Sequence, residues 1–593
     1  MEKKHLILGL TSFILAFVLI FSNGILPQRP STGNGEISTT AERSDGPSER
    51  RSAPADREAD FDGDHESFNR TPGKILTLEN ELVVVKISEM GGGIDSIALK
   101  KYPALLQGND PWQFDAYDRT QDALSLHLKT EDKSYDLRRV SFHAVGHLKN
   151  EIILRAHLSD DIEVERKYRL VRGENGEDSY RISQGIELIN GGNSPIRGKY
   201  LAVTLGSLPP TEGDVAGNHL NFIHYGGKKV TFIPLRKFDA SGGFFGLGKR
   251  ERRESIGEET PIIWAAIKNQ FFAAILTAKG ELAGKFQTSP IVLEKDANGA
   301  RENGITGTIQ FPVELIPSNG STSISMEYYV GPKEYLRLEK LGQRQDVIMQ
   351  FGWFGFVSKL LLLAMKGIHK FIPNWGLAII LLTFFVKLIL WPLTNAQVRS
   401  TRAMAKLQEP LKKLQEKHKN NPKKLQQETM QLFRENGVNP AAGCLPIFIQ
   451  LPIFIGLYSM LQAASELRFA HFLWISDLSV ADKVGMLCGY PINLLPILMA
   501  LTMFLQLTLM PMTPSQTPTQ KYLMRGMPLI LLFFCYRFPS GLVLYWTVQN
   551  ILSIAQQLIA GKCPPREKLT KSAPGRRKID RQRARVRKGN GRR

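Results

Sequence analysis

One cation stands in the middle of an apolar run. Lys387 is the only charged residue in the stretch NWGLAIILLTFFVKLILWP, positions 374–392. Carrying a lysine into the centre of a bilayer costs about 2.5–3.5 kcal/mol on insertion scales. Trp391, an interfacial residue type, lies four residues further on, so the ammonium could snorkel to the headgroups. The other reading is a charge facing a wet cavity, where it would attract an anionic group. Thr383 lies four residues earlier, on the same helical face, and favours the cavity. No Asp or Glu occurs in the five apolar segments of the C-terminal half. Water, or an anionic group on a passing ligand, would have to compensate the charge.

Other polar residues sit in the same apolar segments. Trp546, Asn550, Ser553 and Gln557 are spaced 4, 3 and 4, which places them on one helical face. Gln450 and Gln506 add one amide to each of two further segments. Interhelical hydrogen bonding would explain each amide singly. Four of five segments carrying polar groups is better explained by a shared hydrated groove.

Other chemistries find little support. No Walker A, G-x-S-x-G, H-E-x-x-H or paired-cysteine motif occurs, and no cofactor is expected. The four cysteines, Cys444, Cys488, Cys535 and Cys563, form neither a disulfide scaffold nor a CxxC metal site. His143 and His147 lie in a strand-like, glycine-containing context without an obvious third ligand.

The elements that must position these residues follow from composition. The chain opens with Lys3 and Lys4 before an uncharged apolar run, 6–21, and residues 1–26 read as a retained signal-anchor span. Residues 27–72, rich in Pro, Ser, Gly and charge, read as a disordered linker. From 73 to 335, short β-rich runs alternate with turn signals such as Gly91-Gly92-Gly93, Gly191-Gly192-Asn193 and Asn303-Gly304. That pattern predicts a large antiparallel sandwich outside the cytoplasm. In 351–371, Lys359, Lys366 and Lys370 share one face, which predicts an interfacial amphipathic helix. Spans are expected at 373–393, 442–464, 491–510, 526–538 and 541–560. With the anchor this is an α-helical polytopic bundle of six spans, with both termini cytoplasmic.

Charge supports that topology. The formal net charge is +20, with 76 basic and 56 acidic residues, although mean hydropathy is only −0.16. The predicted cytoplasmic pieces 1–5, 395–441, 511–525 and 561–593 together hold +21, leaving −1 elsewhere. Region 395–441 reads as a cytoplasmic helical hairpin: Leu407, Leu411 and Leu414 on one helix, Leu425, Thr429 and Leu432 on the next. Asn421-Pro422 has the signature of a helix start, and Pro410 should kink or break the first helix. Its cations Arg399, Arg402, Lys406, Lys412 and Lys413 could border anionic lipid or dock a ribosome or targeting factor. The tail 561–593 carries 14 cations and no aromatic residue. Arg576, Arg577, Lys578, Arg585 and Arg587 would bind ribosomal RNA phosphate electrostatically, with anionic lipid as the competing partner.

Several motifs resemble one family. Asn374-Trp375-Gly376, Thr383 to Lys387 and Trp391-Pro392-Leu393-Thr394 are similar to the second span of YidC-type membrane protein insertases. So are Val438-Asn439-Pro440-Ala441-Ala442-Gly443-Cys444-Leu445-Pro446, Gln450-Leu451-Pro452-Ile453-Phe454 and Phe538-Pro539-Ser540-Gly541 through Trp546. The resemblance covers roughly 350–562, and the layout matches the Gram-negative form. It implies a hydrophilic groove open to cytoplasm and lipid, a conserved five-span core, a periplasmic β-supersandwich and a mobile cytoplasmic hairpin. The family's groove charge is usually arginine, and Lys387 keeps the charge but loses the planar fork. Tyr545 matches the first residue of the family's Tyr-Tyr pair, while Trp546 replaces the second.

These readings converge on a non-enzymatic insertase and chaperone of the bacterial inner membrane. Its partners would be nascent membrane proteins, the ribosome, a targeting factor and a Sec translocon. The expected groove residues are Lys387, Thr383, Gln450, Gln506, Asn550, Tyr545 and Trp546. A secondary transporter is the alternative, although no repeat or acidic midplane site occurs. A membrane-anchored carbohydrate-processing protein rests only on analogy with sandwich folds.

Overall fold

The computed structural model describes residues 73–114, 122–159, 161–173, 176–214, 216–240, 251–295, 301–419, 421–437, 445–487, 489–509 and 518–562. The expected anchor 1–26, linker 27–72 and nearly all of the basic tail lie outside the described residues.

The β-rich half folds as anticipated in class. Nine strands form one antiparallel sheet in the order Val230–Pro234, Asn221–Tyr225, Trp264–Lys268, Phe272–Lys279, Gly320–Pro332, Asp178–Asn190, Ile162–Arg172, Glu151–His157, His143–Leu148. A seven-stranded sheet faces it, built on Ala283–Lys295, Arg301–Pro312 and Ile196–Leu208. The inward rows of the two sheets share one core. Phe222 stacks on Phe286 across it at 5.1 Å, and the Tyr328 hydroxyl donates to the Leu205 carbonyl. Gly307 makes room for this packing, because a Cβ there would lie 2.4 Å from the Phe222 ring. A four-stranded sheet, 75–114, closes one flank, where Trp112 stacks on Phe272 at 4.1 Å.

Arg166 breaks the apolar alternation of strand Ile162–Arg172 by pointing inward. It is fully buried between the Phe142 and Tyr168 rings and donates to the Gly91 and Leu124 carbonyls. Gly91 and Gly92 turn with φ of +79° and +64°, which the triple glycine permits. Asn303-Gly304 is not a turn. Both residues lie inside strand Arg301–Pro312, paired with Val292 and Ile291. Gly304 is needed there because a Cβ would meet Ile291 at 2.9 Å and the Leu208 carbonyl oxygen at 3.1 Å.

Nine helices follow among the described residues: α1 (Tyr335–Lys340), α2 (Gly355–Phe371), α3 (Trp375–Lys406), α4 (Gln408–Lys417), α5 (Pro422–Glu435), α6 (Leu445–Ala463), α7 (Leu494–Leu509), α8 (Pro518–Cys535) and α9 (Ser540–Lys562). One of them, α3, is long and apolar enough to cross a membrane by length and composition. Leu494–Leu509 and Arg525–Cys535 are shorter apolar helices.

The helix limits differ from the expected ones in instructive ways. The helix that holds the span expected at 373–393 runs on through Pro392 to Lys406. The break falls at Leu407, three residues before Pro410, because the proline cannot donate to the Lys406 carbonyl and its ring would collide with it. The hairpin proper is therefore α4 and α5. Asn421 caps α5, its side chain accepting from the Lys424 N–H at 3.1 Å. Its small core is Met404, Leu407, Leu411 and Phe433, the last absent from the leucine pattern. Among the described residues α8 covers Pro518–Cys535, so the span expected at 526–538 falls on its C-terminal part and the turn that follows.

On α2, two of the three striped lysines pair with protein acids. Lys359 binds Asp346 at 2.7 Å and Lys366 binds Glu466 at 2.5 Å, while Lys370 is exposed. Phe356, Leu360 and Leu363 form a separate exposed apolar face, which suits a helix lying at the interface.

The loop after α6 joins the halves. Arg468 donates to the Pro103 and Ala104 carbonyls at 2.6 and 2.8 Å, and its guanidinium lies over the Phe469 and Phe272 rings. Phe472 packs so tightly on Gly376 at the start of α3 that a Cβ there would lie 2.1 Å from its ring.

Candidate functional site

α9 packs against both α3 and α7 and brings the expected polar residues into one region. Asn374 caps α3, accepting from the Leu377 N–H at 3.0 Å. Lys387 then falls about 18 Å along the helix axis from Trp375. It is 5% exposed. Its ammonium donates to the Ser553 hydroxyl at 2.8 Å, and Ser553 donates onward to the Gln549 carbonyl at 2.8 Å. No ion pair to Lys387 occurs among the described residues.

Asn550, one turn earlier on α9, donates to the Met499 carbonyl at 3.3 Å and to the Thr502 hydroxyl at 3.2 Å, both on α7. Three amide oxygens near this face, those of Gln506, Gln549 and Gln557, are buried without a hydrogen-bond partner among the described residues. A buried amide oxygen left unpaired costs about 1–3 kcal/mol, so water or a polar group of a visiting chain is favoured there.

The other expected residues sit differently. Thr383 is fully buried and spends its hydroxyl proton on the Ile379 carbonyl at 2.7 Å, so it braces α3 and makes no bond to Lys387. Tyr545 is buried, and its hydroxyl accepts from the Gln450 amide at 2.6 Å, linking α9 to α6. Trp546 packs edge-on against Phe454 of α6 at 4.8 Å. These three form an aromatic and amide seam beside the Lys387 cluster.

At the far end of α3, Arg402 donates to the Gln557 carbonyl at 2.8 Å. Gln556 donates to Thr394 and Asn395 at 2.8 and 3.1 Å. Arg402 thus ties α3 to α9, whereas Arg399, Lys406, Lys412 and Lys413 are exposed. Arg576, Arg577, Lys578, Arg585 and Arg587 lie outside the described residues. Ser553 was readable as part of the α9 stripe. Thr502, Gln556 and Asn395 carry no signal in the residue order; their bonds to partners on facing helices mark them. His143 and His147 are both exposed on strand His143–Leu148.

The family model described as 60Kd inner membrane protein matches residues 367–567, and that of the YidC periplasmic domain matches 75–364. The chain is 29% identical to a membrane protein insertase YidC of Haemophilus influenzae over 94% of this chain and 97% of that one. It is 32% identical to the membrane protein insertase YidC of Chlorobaculum parvum over 82% and 81%. Among solved structures it is similar to an active YidC insertase with its first transmembrane domain resolved, at 18% identity and a TM-score of 0.33, covering 82% of this chain and 93% of that one. The insertase relatives indicate a non-catalytic inner-membrane protein with a periplasmic β domain. The chain belongs to the YidC family of membrane protein insertases, and its function is the insertion of membrane proteins.

Proposed function

We propose that insertion runs along the α3–α7–α9 face, with Lys387 as its electrostatic centre. The observation that carries this is a buried ammonium held by a neutral hydroxyl, Ser553, beside three unpaired amide oxygens. A neutral partner leaves the positive charge uncompensated, so an acidic residue in the flank of a nascent segment lowers the energy of the groove as well as its own. The amides of Gln506, Gln549, Gln557 and Asn550 offer polar partners to the flank's backbone, which lipid cannot. The hydrophobic segment itself slides along the apolar surfaces of α6 and α8. Tyr545, Gln450 and Trp546 hold α6 against α9 and border that path.

The bundle is read as six spans with both termini cytoplasmic. The exposed cations of α3 to α5 and the basic tail face the ribosome, a targeting factor or anionic headgroups. A Sec translocon is the partner for larger substrates. The reading is tested in proteoliposomes with an acidic-flanked substrate. Lys387→Ala should slow insertion and Lys387→Glu should slow it further. Equal insertion by both variants and wild type would remove the charge role.

A further inference from the structure

The loop between α6 and α7 carries a small hairpin that no sequence pattern announced. Strands Gly485–Leu487 and Tyr490–Ile492 pair with Met486 opposite Pro491 and Leu487 opposite Tyr490. Its described side chains are apolar and open on both faces. Met486 is 56% exposed, Leu487 65% and Tyr490 77%, with Val484 at the root also exposed. Leu473 and Trp474, earlier in the same loop, are exposed as well, and the Trp474 indole N–H donates to Asp482 at the hairpin's root.

The root is rigid. Val484 N–H donates to the Ile492 carbonyl, and the Asn493 side chain donates to the Tyr536 carbonyl at 2.6 Å. The Tyr536 hydroxyl donates to the Pro491 carbonyl at 2.7 Å. Asp482 accepts from the Leu495 N–H at 2.7 Å and so fixes the start of α7. An isolated two-stranded hairpin is marginal in water, yet this one is held in place with its apolar tip uncovered.

Two further observations choose what covers it. First, no charged residue occurs from 484 to 520, so the hairpin leads into α7 through uncharged sequence. Second, α7 itself carries an exposed apolar stripe of Ile497, Leu501, Phe504 and Leu505, the kind of surface a span turns to lipid. An exposed apolar hairpin at the root of such a span is covered by the same lipid, and Tyr490 and Trp474 are residue types that favour the headgroup boundary. The free strand edges keep the hairpin at that boundary, where water still reaches them, and out of the hydrocarbon.

We infer that the hairpin 485–492 is a membrane anchor, seated in the external leaflet of the bilayer at the headgroup–acyl boundary. The inference rests on reading α7 as a span. Anchored there, the loop that also holds Arg468 and Glu466 is fixed relative to the membrane surface, which sets the height of the β domain above it.

The test uses the full-length protein with its four cysteines replaced by serine. Single fluorophores are placed at Met486→Cys, Leu487→Cys and Tyr490→Cys, at Leu501→Cys on the α7 stripe, and at Leu148→Cys on the outer edge of the β domain. Each is reconstituted into phosphatidylcholine–phosphatidylglycerol vesicles. Lipids carrying a nitroxide near the headgroup should quench the hairpin probes several-fold more than the Leu148 probe. Nitroxides near the chain end should quench the Leu501 probe most. Hairpin probes that respond to aqueous iodide as Leu148 does, with Leu501 still quenched by lipid, overturn the anchor and leave the span reading intact. Hairpin probes shielded from both quenchers overturn it in favour of a protein occupant. A Leu501 probe untouched by lipid overturns the span reading and the anchor together.

Discussion

The ammonium of Lys387 and the hydroxyl oxygen of Ser553 lie 2.8 Å apart, across the interface of α3 and α9. This neutral acceptor orients the charge without cancelling it. Ser553→Ala removes the acceptor and leaves the ammonium buried and unpaired, at a cost of about 1.5–3 kcal/mol. The side chain then reorients or loses its proton, and either response weakens attraction for an acidic flank. Insertion of an acidic-flanked substrate should fall several-fold in proteoliposomes, insertion of a neutral-flanked one much less, and Ser553→Thr should restore both. An equal fall for both substrates would show that Ser553 only packs.

What was legible in the sequence follows from physics that acts locally. Lys387 stood out because a lone cation in an apolar run has no local explanation, and the α9 stripe because helical periodicity survives in the residue order. Asn421-Pro422 marked the start of α5 because a cap is decided within four residues. The illegible features depend on partners distant in the chain. Arg402 looked like a free cation but bonds to Gln557, 155 residues away. Thr383 looked like a groove hydroxyl but is spent on its own helix. Asn303-Gly304 has the composition of a turn, yet the glycine serves a close approach to Leu208 and Ile291. The hairpin 485–492 carries neither the length nor the alternation that would mark a strand pair.

Arg468 makes the joint between the β domain and the membrane half. Its two donated bonds reach carbonyls 365 and 364 residues away in the sequence. Arg468→Ala should loosen the turn after strand Ile94–Pro103 by about 1.5–3 kcal/mol. Amide exchange across 104–110, where Ala104 donates to Asp110, should then accelerate by about tenfold or more. Arg468→Lys should recover only part, because an ammonium lacks the fork that meets both carbonyls. Unchanged exchange in Arg468→Ala would mean the two halves are held elsewhere.

The Glu466 carboxylate oxygens are buried, and that burial raises the carboxyl above the usual range against the attraction of Lys366 at 2.5 Å. Removing one partner of a buried pair costs about 3–5 kcal/mol, because the other is left uncompensated. Lys366→Met should therefore lower the melting midpoint of the full chain clearly. Glu466→Gln added to Lys366→Met should recover much of the loss, since no charge remains buried. A double variant as unstable as Lys366→Met would assign the effect to packing of the lysine stem.

Lys268 and Lys333 are both buried in the β domain, close to Asp214. Burial pushes Lys268 from 10.5 down to about 8, against the attraction of Asp214. Lys333 is held well below its usual value by burial and then by the charge of Lys268. The unfolded chain keeps its Lys268 proton up to its ordinary value, whereas the folded domain releases it near pH 8. Between those limits the unfolded state binds more protons, so stability rises with pH. Below that window both states are protonated, and the fold carries the full penalty of about 3 kcal/mol. The melting midpoint of the β domain within the full chain should climb as pH is raised from about 7 to about 10. Lys268→Met should melt higher at neutral pH and lose a clear part of the climb, while the buried Lys333 keeps the rest. A climb of the same size in Lys268→Met would assign the pH dependence to groups other than this lysine.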